Sequence, residues 1–186
     1  MADELDTATL AGCRRGDPEA FRALVERYQD RVYALCVALA GGDGEDLTQE
    51  TFVRVHGAIR EFDADGPARL GAWILTIARR LCTDRFRQRR PTVPIDVVPL
   101  GDATPGADAQ LDRARQGRAL RKAIAELPED QRAVVALQVW DELEYEEIAA
   151  IERVPVGTVR SRLARAKEAL KRALGVDDEE RNGTHR

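Results

Sequence analysis

The chain has 186 residues, 44 % of them hydrophobic and only 5 % aromatic, so it can fill one ordinary core or two small, aliphatic, helical ones. Its formal net charge is −4, which disfavours indiscriminate attraction to nucleic acid. No apolar run approaches the ~20 residues of a membrane span, and the acidic start MADELDTATL lacks a signal pattern, so a cytoplasmic protein without membrane insertion is expected. Cys13, Cys36 and Cys82 are odd in number and lack CxxC spacing, which argues against a zinc site or a disulfide framework. Cys36 and Cys82 lie in apolar-periodic stretches and read as small buried hydrophobes. Ser161 is the only serine, His56 and His185 are the only histidines, and no Gly-rich phosphate loop follows a strand. A non-enzyme with no catalytic residue, metal ligand or cofactor is the expectation.

Residues 1–17 read as an N-terminal segment. The first strong helix signal follows Asp17, a suitable N-cap, and Pro18, a suitable first-turn residue. Phe21, Leu24, Val25, Tyr28, Val32, Leu35, Cys36 and Leu39 then recur at steps of three or four. Gly41, Gly42 and Gly44 break this helix. EDLTQETFVRVHGAI reads as a second helix, EFDADGPARLG as a loop, and AWILTIARRLCTDRFRQRR as a third helix, apolar first and basic at its end. Residues 91–112 hold four prolines, four aspartates and no Lys or Arg, and read as an acidic linker. RARQGRALRKAIAEL, PEDQRAVVALQVWDE and YEEIAAI read as further helices, ERVPV as a turn, and 175–186 as a polar tail. The fold expected is all-α: two small helical domains, 18–90 and 113–174, joined by the linker.

GTVRSRLARAKEAL follows the turn. At 100° per residue, Val156, Val159, Leu163, Ala166 and Leu170 share one face, and Ser161, Arg165 and Arg172 lie opposite, flanked by Arg160 and Arg162. A short helix, a tight turn and this cationic helix form a helix-turn-helix whose second helix suits the major groove. Arg153 to Arg172 carries seven cations against Glu168 alone, +6 in an acidic chain. A second cationic stretch, ARRLCTDRFRQRR, carries six arginines against Asp84, and Trp73 stands two turns upstream. Such a surface suits phosphate contact and base stacking, although Trp73 alone reads equally well as core. Asp46, Gln49 and Glu50, at i, i+3 and i+4, project together; by spacing alone they are a solvated face.

These stretches, in this order, resemble the sigma-70-family RNA polymerase sigma factors of the extracytoplasmic-function (ECF) type, over roughly residues 18–90 and 113–174. FRALVERYQDRVYAL resembles the start of the family's second region, EDLTQETFVRV its polymerase-binding helix, and AWILTIARRLCTDRFRQRR the part that opens and reads the −10 element. LPEDQRAVVALQVWDELEYEEIAAIERVPVGTVRSRLARAKEAL, with PVGTVRSRL the most specific piece, resembles the fourth region, which reads the −35 element. The resemblance implies that Asp46, Gln49 and Glu50 dock on core RNA polymerase. It implies that Trp73, Arg79, Arg80, Asp84 and Arg87 act at −10 promoter DNA, with the loop Asp63 to Gly71 capturing a flipped base. Thr158, Arg160, Ser161, Ala164 and Arg165 would act at −35, and the linker would thread toward the RNA channel. An anti-sigma protein is a partner implied by the same resemblance. The alternative is a stand-alone helix-turn-helix regulator binding duplex operators. The chain departs from the family's pattern at Arg80, often Asn; at Glu152, usually apolar; and at Arg153, often Gly, where a positive φ is easiest.

Overall fold

The computed structural model describes residues 5–66, 68–88, 117, 119, 120, 122–141 and 143–175. The expected linker over 91–112, Arg89 and Arg90, and the tail beyond Gly175 lie outside the described residues. Among those described there is helix and no strand, in keeping with an all-α fold.

The chain opens with a helix that the periodicity of 1–17 does not announce: α1, Thr7–Arg15. Asp6 caps it, accepting from the Thr9 amide at 2.9 Å. Gly16, at φ 83°, ends it in the left-handed conformation that glycine takes without penalty. Nine residues give about two and a half turns, and only Leu10 and Cys13 supply buried apolar side chains. What holds α1 is tertiary. Arg14 donates to the Phe62 carbonyl, and Arg60 Nε returns a bond of 3.0 Å to the Arg14 carbonyl.

Helix α2, Pro18–Ala40, starts where Asp17 and Pro18 predict, with Asp17 accepting from the Glu19 amide at 2.9 Å. Its buried stripe is Leu24, Tyr28, Val32, Leu35, Cys36 and Leu39. A short 3₁₀ turn, Gly41–Asp43, leads into α3, Gly44–Ala58. The corner depends on Gly44: a Cβ there would stand 2.5 Å from Val37 Cγ2 and 2.9 Å from Val37 Cα, closer than the backbone can yield. Helix α4, Leu70–Gln88, buries Leu70, Ile74, Leu75, Ala78, Leu81 and Cys82. It begins two residues earlier than the sequence suggests, with the Arg69 carbonyl accepting its first helical bond from Trp73 at 3.0 Å. Cys36 and Cys82 meet inside, Sγ to Sγ 3.8 Å, as free thiols. The Cys36 sulfur and burial push the Cys82 thiol far above its ordinary range, so it packs as an apolar group.

The second unit contains α5, Glu129–Asp141, α6, Tyr145–Glu152, and α7, Val156–Leu174, with helical residues at 122–125 before them. Ala133, Val134, Leu137, Ile148, Ile151 and Val159 are buried. They do not close on themselves. Helix α5 packs on α2, and α6 packs on α4, so one apolar core runs through both units. Arg132 Nη1 also reaches across, donating to the Ala38 carbonyl at 3.3 Å. The two units pack together, because each leaves an apolar face that the other covers.

Arg153 occupies the turn between α6 and α7 at φ 55°, ψ 46°, and is the one non-glycine residue with positive φ among those described. The left-handed turn expected of glycine is therefore kept, with an arginine strained into it. Arg153→Gly is expected to raise stability by about 0.5–1 kcal/mol, less the entropy glycine loses on folding, read from urea unfolding midpoints.

Arg69, just before α4, forms a two-pronged ion pair with Glu147 of α6, its Nε 2.6 Å from Oε1. This bond holds the Glu147 carboxyl below its ordinary value. The pair's contribution is therefore complete above the ordinary Glu range and lost as pH falls through the lowered value. Arg69→Ala should return the Glu147 titration to the ordinary range, followed by NMR of its side-chain carboxyl carbon.

Candidate nucleic-acid interface and docking face

The helix-turn-helix is built from α6 and α7. Glu144 and Glu147 form a reciprocal capping box at the start of α6. Pro155 stands at the N-cap of α7, and its carbonyl accepts from Thr158 at 2.8 Å. On α7, Val159 and Ala166 are fully buried, and Leu163 and Leu170 are half-buried. The opposite face is open. Arg160, Ser161, Ala164 and Arg165 are exposed together, with Thr158 half-exposed at the helix start. That is the set for which the family resemblance implies contact with −35 DNA. The Ser161 hydroxyl donates to the Thr158 carbonyl at 3.0 Å, so its proton is engaged and its lone pairs remain for an incoming donor. The Arg160 guanidinium lies 5.8 Å from the centre of the Tyr145 ring, a cation–π contact that pre-orders it. Arg162 faces the other way. It meets Asp130 at 3.0 Å and Glu152 at 3.8 Å, and is spent inside the molecule.

Helix α4 divides its candidates. Arg80, Asp84 and Arg87, at i, i+4 and i+7, are exposed along one face. Phe86 beside them is 59 % exposed, a large aromatic in the basic half of the helix that charge counting overlooks. Trp73 is half-buried. Its ring lies 5.3 Å from Phe62 and packs on the core, with part of the side chain left open. Arg79 does not join the exposed set. Its side chain is 12 % exposed, with Nε 2.6 Å from Glu152 Oε1 and Nη1 2.9 Å from Glu129 Oε1. Burial works against its charge, but Glu152 and then Glu129 outweigh it and hold the guanidinium above its ordinary value. A cleft of about 670 Å³ separates the basic end of α4 from α5 and α6, with Arg79, Glu129 and Glu152 among its lining residues.

On α3, Asp46 and Gln49 are exposed, and Glu50 is half-exposed. Glu50 is engaged on both sides, with Arg54 at 2.9 Å and Arg85 at 3.8 Å; Asp43 also takes Arg85 at 3.4 Å. Next to this acidic face lies an apolar groove of about 460 Å³ lined by Phe21, Val25, Phe52 and Val53, with Gln49 and His56 at its edge. Val53 is 71 % exposed. It stands one turn after Gln49, so the same i, i+4 spacing that groups the polar residues could have found it.

Among the described residues, no group of three His, Cys, Asp or Glu side chains could hold a metal ion, and no helix is long and apolar enough to cross a membrane.

The family model for Sigma-70 region 2 matches residues 24–92, and that for Sigma-70 region 4 matches residues 117–170. The ECF RNA polymerase sigma factor SigW of Bacillus subtilis (strain 168) is 32 % identical over 175 residues, covering 87 % of this chain and 92 % of that protein. The ECF RNA polymerase sigma factor SigC of Mycobacterium tuberculosis is 35 % identical over 185 residues, covering 95 % of each. Among solved structures, the sigma factor RpoE of Bartonella quintana, in complex with the anti-sigma factor NepR, superposes with a TM-score of 0.69 at 27 % identity, covering 86 % of this chain and 99 % of that one. CnrH, in complex with the cytosolic domain of CnrY, gives 0.66 at 25 % identity, covering 92 % and 97 %. Matches to both regions in one chain leave no support for the stand-alone regulator. The chain belongs to the sigma-70 family of RNA polymerase sigma factors, in its extracytoplasmic-function group, and is a promoter-specificity factor.

Proposed function

We propose that α7 reads the −35 element with Thr158, Arg160, Ser161, Ala164 and Arg165, while the exposed end of α4 engages the −10 region. The observation that carries this reading is the segregation on α7. One face is sealed by Val159 and Ala166, and the other presents two arginines, a hydroxyl and a small residue in line. A helix so arranged can enter the major groove with its arginines on guanine edges or phosphates, and Ala164 lets the backbone approach. At −10, Arg80 and Arg87 meet phosphates, Phe86 and the open part of Trp73 offer ring faces to unstacked bases, and Asp84 accepts from a base amine. Arg79 joins them once it is released from Glu152. The loop running from Asp63 to Arg69, just before α4, is the place for a flipped base.

Asp46, Gln49 and Glu50 dock on core polymerase, and the groove around Val53 extends that surface. Polar groups set its register, and apolar area supplies affinity. An anti-sigma protein is a further partner, since one similar structure is a sigma factor in complex with an anti-sigma factor. The place of action is the cytoplasm, where polymerase and promoter meet.

Arg165→Ala is expected to lower initiation at promoters carrying a −35 element by about tenfold, with a contact worth ~1–3 kcal/mol removed. Run-off transcription on templates with and without that element decides it: an equal effect on both would remove Arg165 from −35 reading. Val53→Asp, which places a charge in an apolar contact without disturbing the core, is expected to weaken the complex with purified core polymerase by at least about tenfold. Co-elution on gel filtration measures this, and unchanged affinity would confine docking to the polar face.

A further inference from the structure

Glu152 is an acidic side chain that neither DNA reading nor polymerase docking uses. It closes α6, its side chain is only 4 % exposed, and it lies against the other half of the molecule. A carboxylate so buried persists only when its charge is matched. Its partner is Arg79 of α4, held through two bonds of 2.6 and 3.3 Å. Glu129 takes the Arg79 Nη1 at 2.9 Å, and Arg162 backs Glu152 from within its own unit at 3.8 Å. A bidentate carboxylate on a guanidinium has the geometry that a phosphate would adopt on the same group. Arg79 lies next to Arg80 on the −10 helix, yet here it is satisfied, desolvated and covered by α6.

We infer that Glu152 is an intramolecular stand-in for a promoter phosphate: it occupies Arg79 in the free chain and holds the two promoter-binding units closed until DNA on the polymerase displaces it. The inference rests on the assignment of Arg79 to the −10 surface. Two further features agree with closure as a distinct state. The Arg69–Glu147 pair spans the same boundary, and the apolar core continues across it from α2 to α5. In the closed state α6 stands over the Arg79 side of α4, while the α7 reading face stays outside. One DNA element is thus covered and the other is left open. Closure also costs the factor apparent affinity, because the competent form is only a fraction of the population.

The test uses the full chain and two readouts: the radius of gyration by small-angle X-ray scattering, and binding of a fluorescent, short single-stranded oligodeoxynucleotide by anisotropy. Glu152→Gln keeps the shape and removes the charge. It is expected to expand the chain and to tighten oligonucleotide binding by roughly tenfold, since a buried ion pair that loses one partner is disfavoured. The exchanged pair Arg79→Glu with Glu152→Arg should restore the compact form without restoring binding. It also guards against a Glu152→Gln chain that fails to fold, which circular dichroism would reveal. A Glu152→Gln chain as compact as the parent, with the same affinity, would overturn the inference. Expansion without tighter binding would overturn it differently, by removing Arg79 from the DNA surface. Co-elution with core polymerase, which Glu152→Gln should retain, reports separately on the docking assignment.

Discussion

The stripe of α2 from Leu24 through Tyr28, Val32, Leu35 and Cys36 to Leu39 is the surface on which α1, α3, α4 and α5 all close. A helix of 23 residues with that much buried apolar area cannot stand in water, so its neighbours are obliged to cover it. Each neighbour then has its outer face determined by what it gives up inside. Leu47, Thr51 and Val55 turn α3 so that Asp46, Gln49 and Val53 look outward. Ile74, Ala78, Leu81 and Cys82 turn α4 so that Arg80, Asp84 and Arg87 do the same. The candidate surfaces are in this sense the remainder of the core.

Charge is distributed by the same logic with one added constraint. Cations left on the outer faces of α4 and α7 are free to meet phosphate. Cations caught between units must be matched within the protein, because an unpaired guanidinium out of water is prohibitively unfavourable. Arg79 is of this second kind, and the Glu152 that matches it is also met by Arg162 within its own unit. Arg160 and Arg165 are of the first. Two residues apart on α7, Arg160 and Arg162 have opposite fates because 200° of helical rotation separates them. A count of positive charge along the stretch cannot distinguish the two.

Strain and adaptation appear where the chain turns. Arg153 holds a left-handed conformation that glycine would adopt freely, so the geometry of the helix-turn-helix is imposed by packing of α6 and α7 rather than by the local residue. Gly44 is the reverse case, where Val37 leaves no room for any side chain and the residue itself permits the corner. Helix α1 shows the limit of local pattern: two buried side chains and one cap carry little periodic signal, and the Arg14 and Arg60 bonds that secure it come from residues far apart in sequence.

By itself the sequence determined the helical class, the boundaries of α2 through Asp17 and Pro18, the inward and outward faces of α7, and the grouping of Asp46 with Gln49 and Glu50. All of these follow from spacing at 3.6 residues per turn, which is local and additive. It also carried the motifs that mark the family. Only the tertiary structure decided that the two units share a core, that Arg79 is taken by Glu152 and Glu129, that Trp73 is half inside against Phe62, and that Val53 opens a groove beside the acidic face. Those outcomes depend on which surfaces meet across long stretches of chain. Neither the helical period nor a residue's charge encodes the partner that burial will supply.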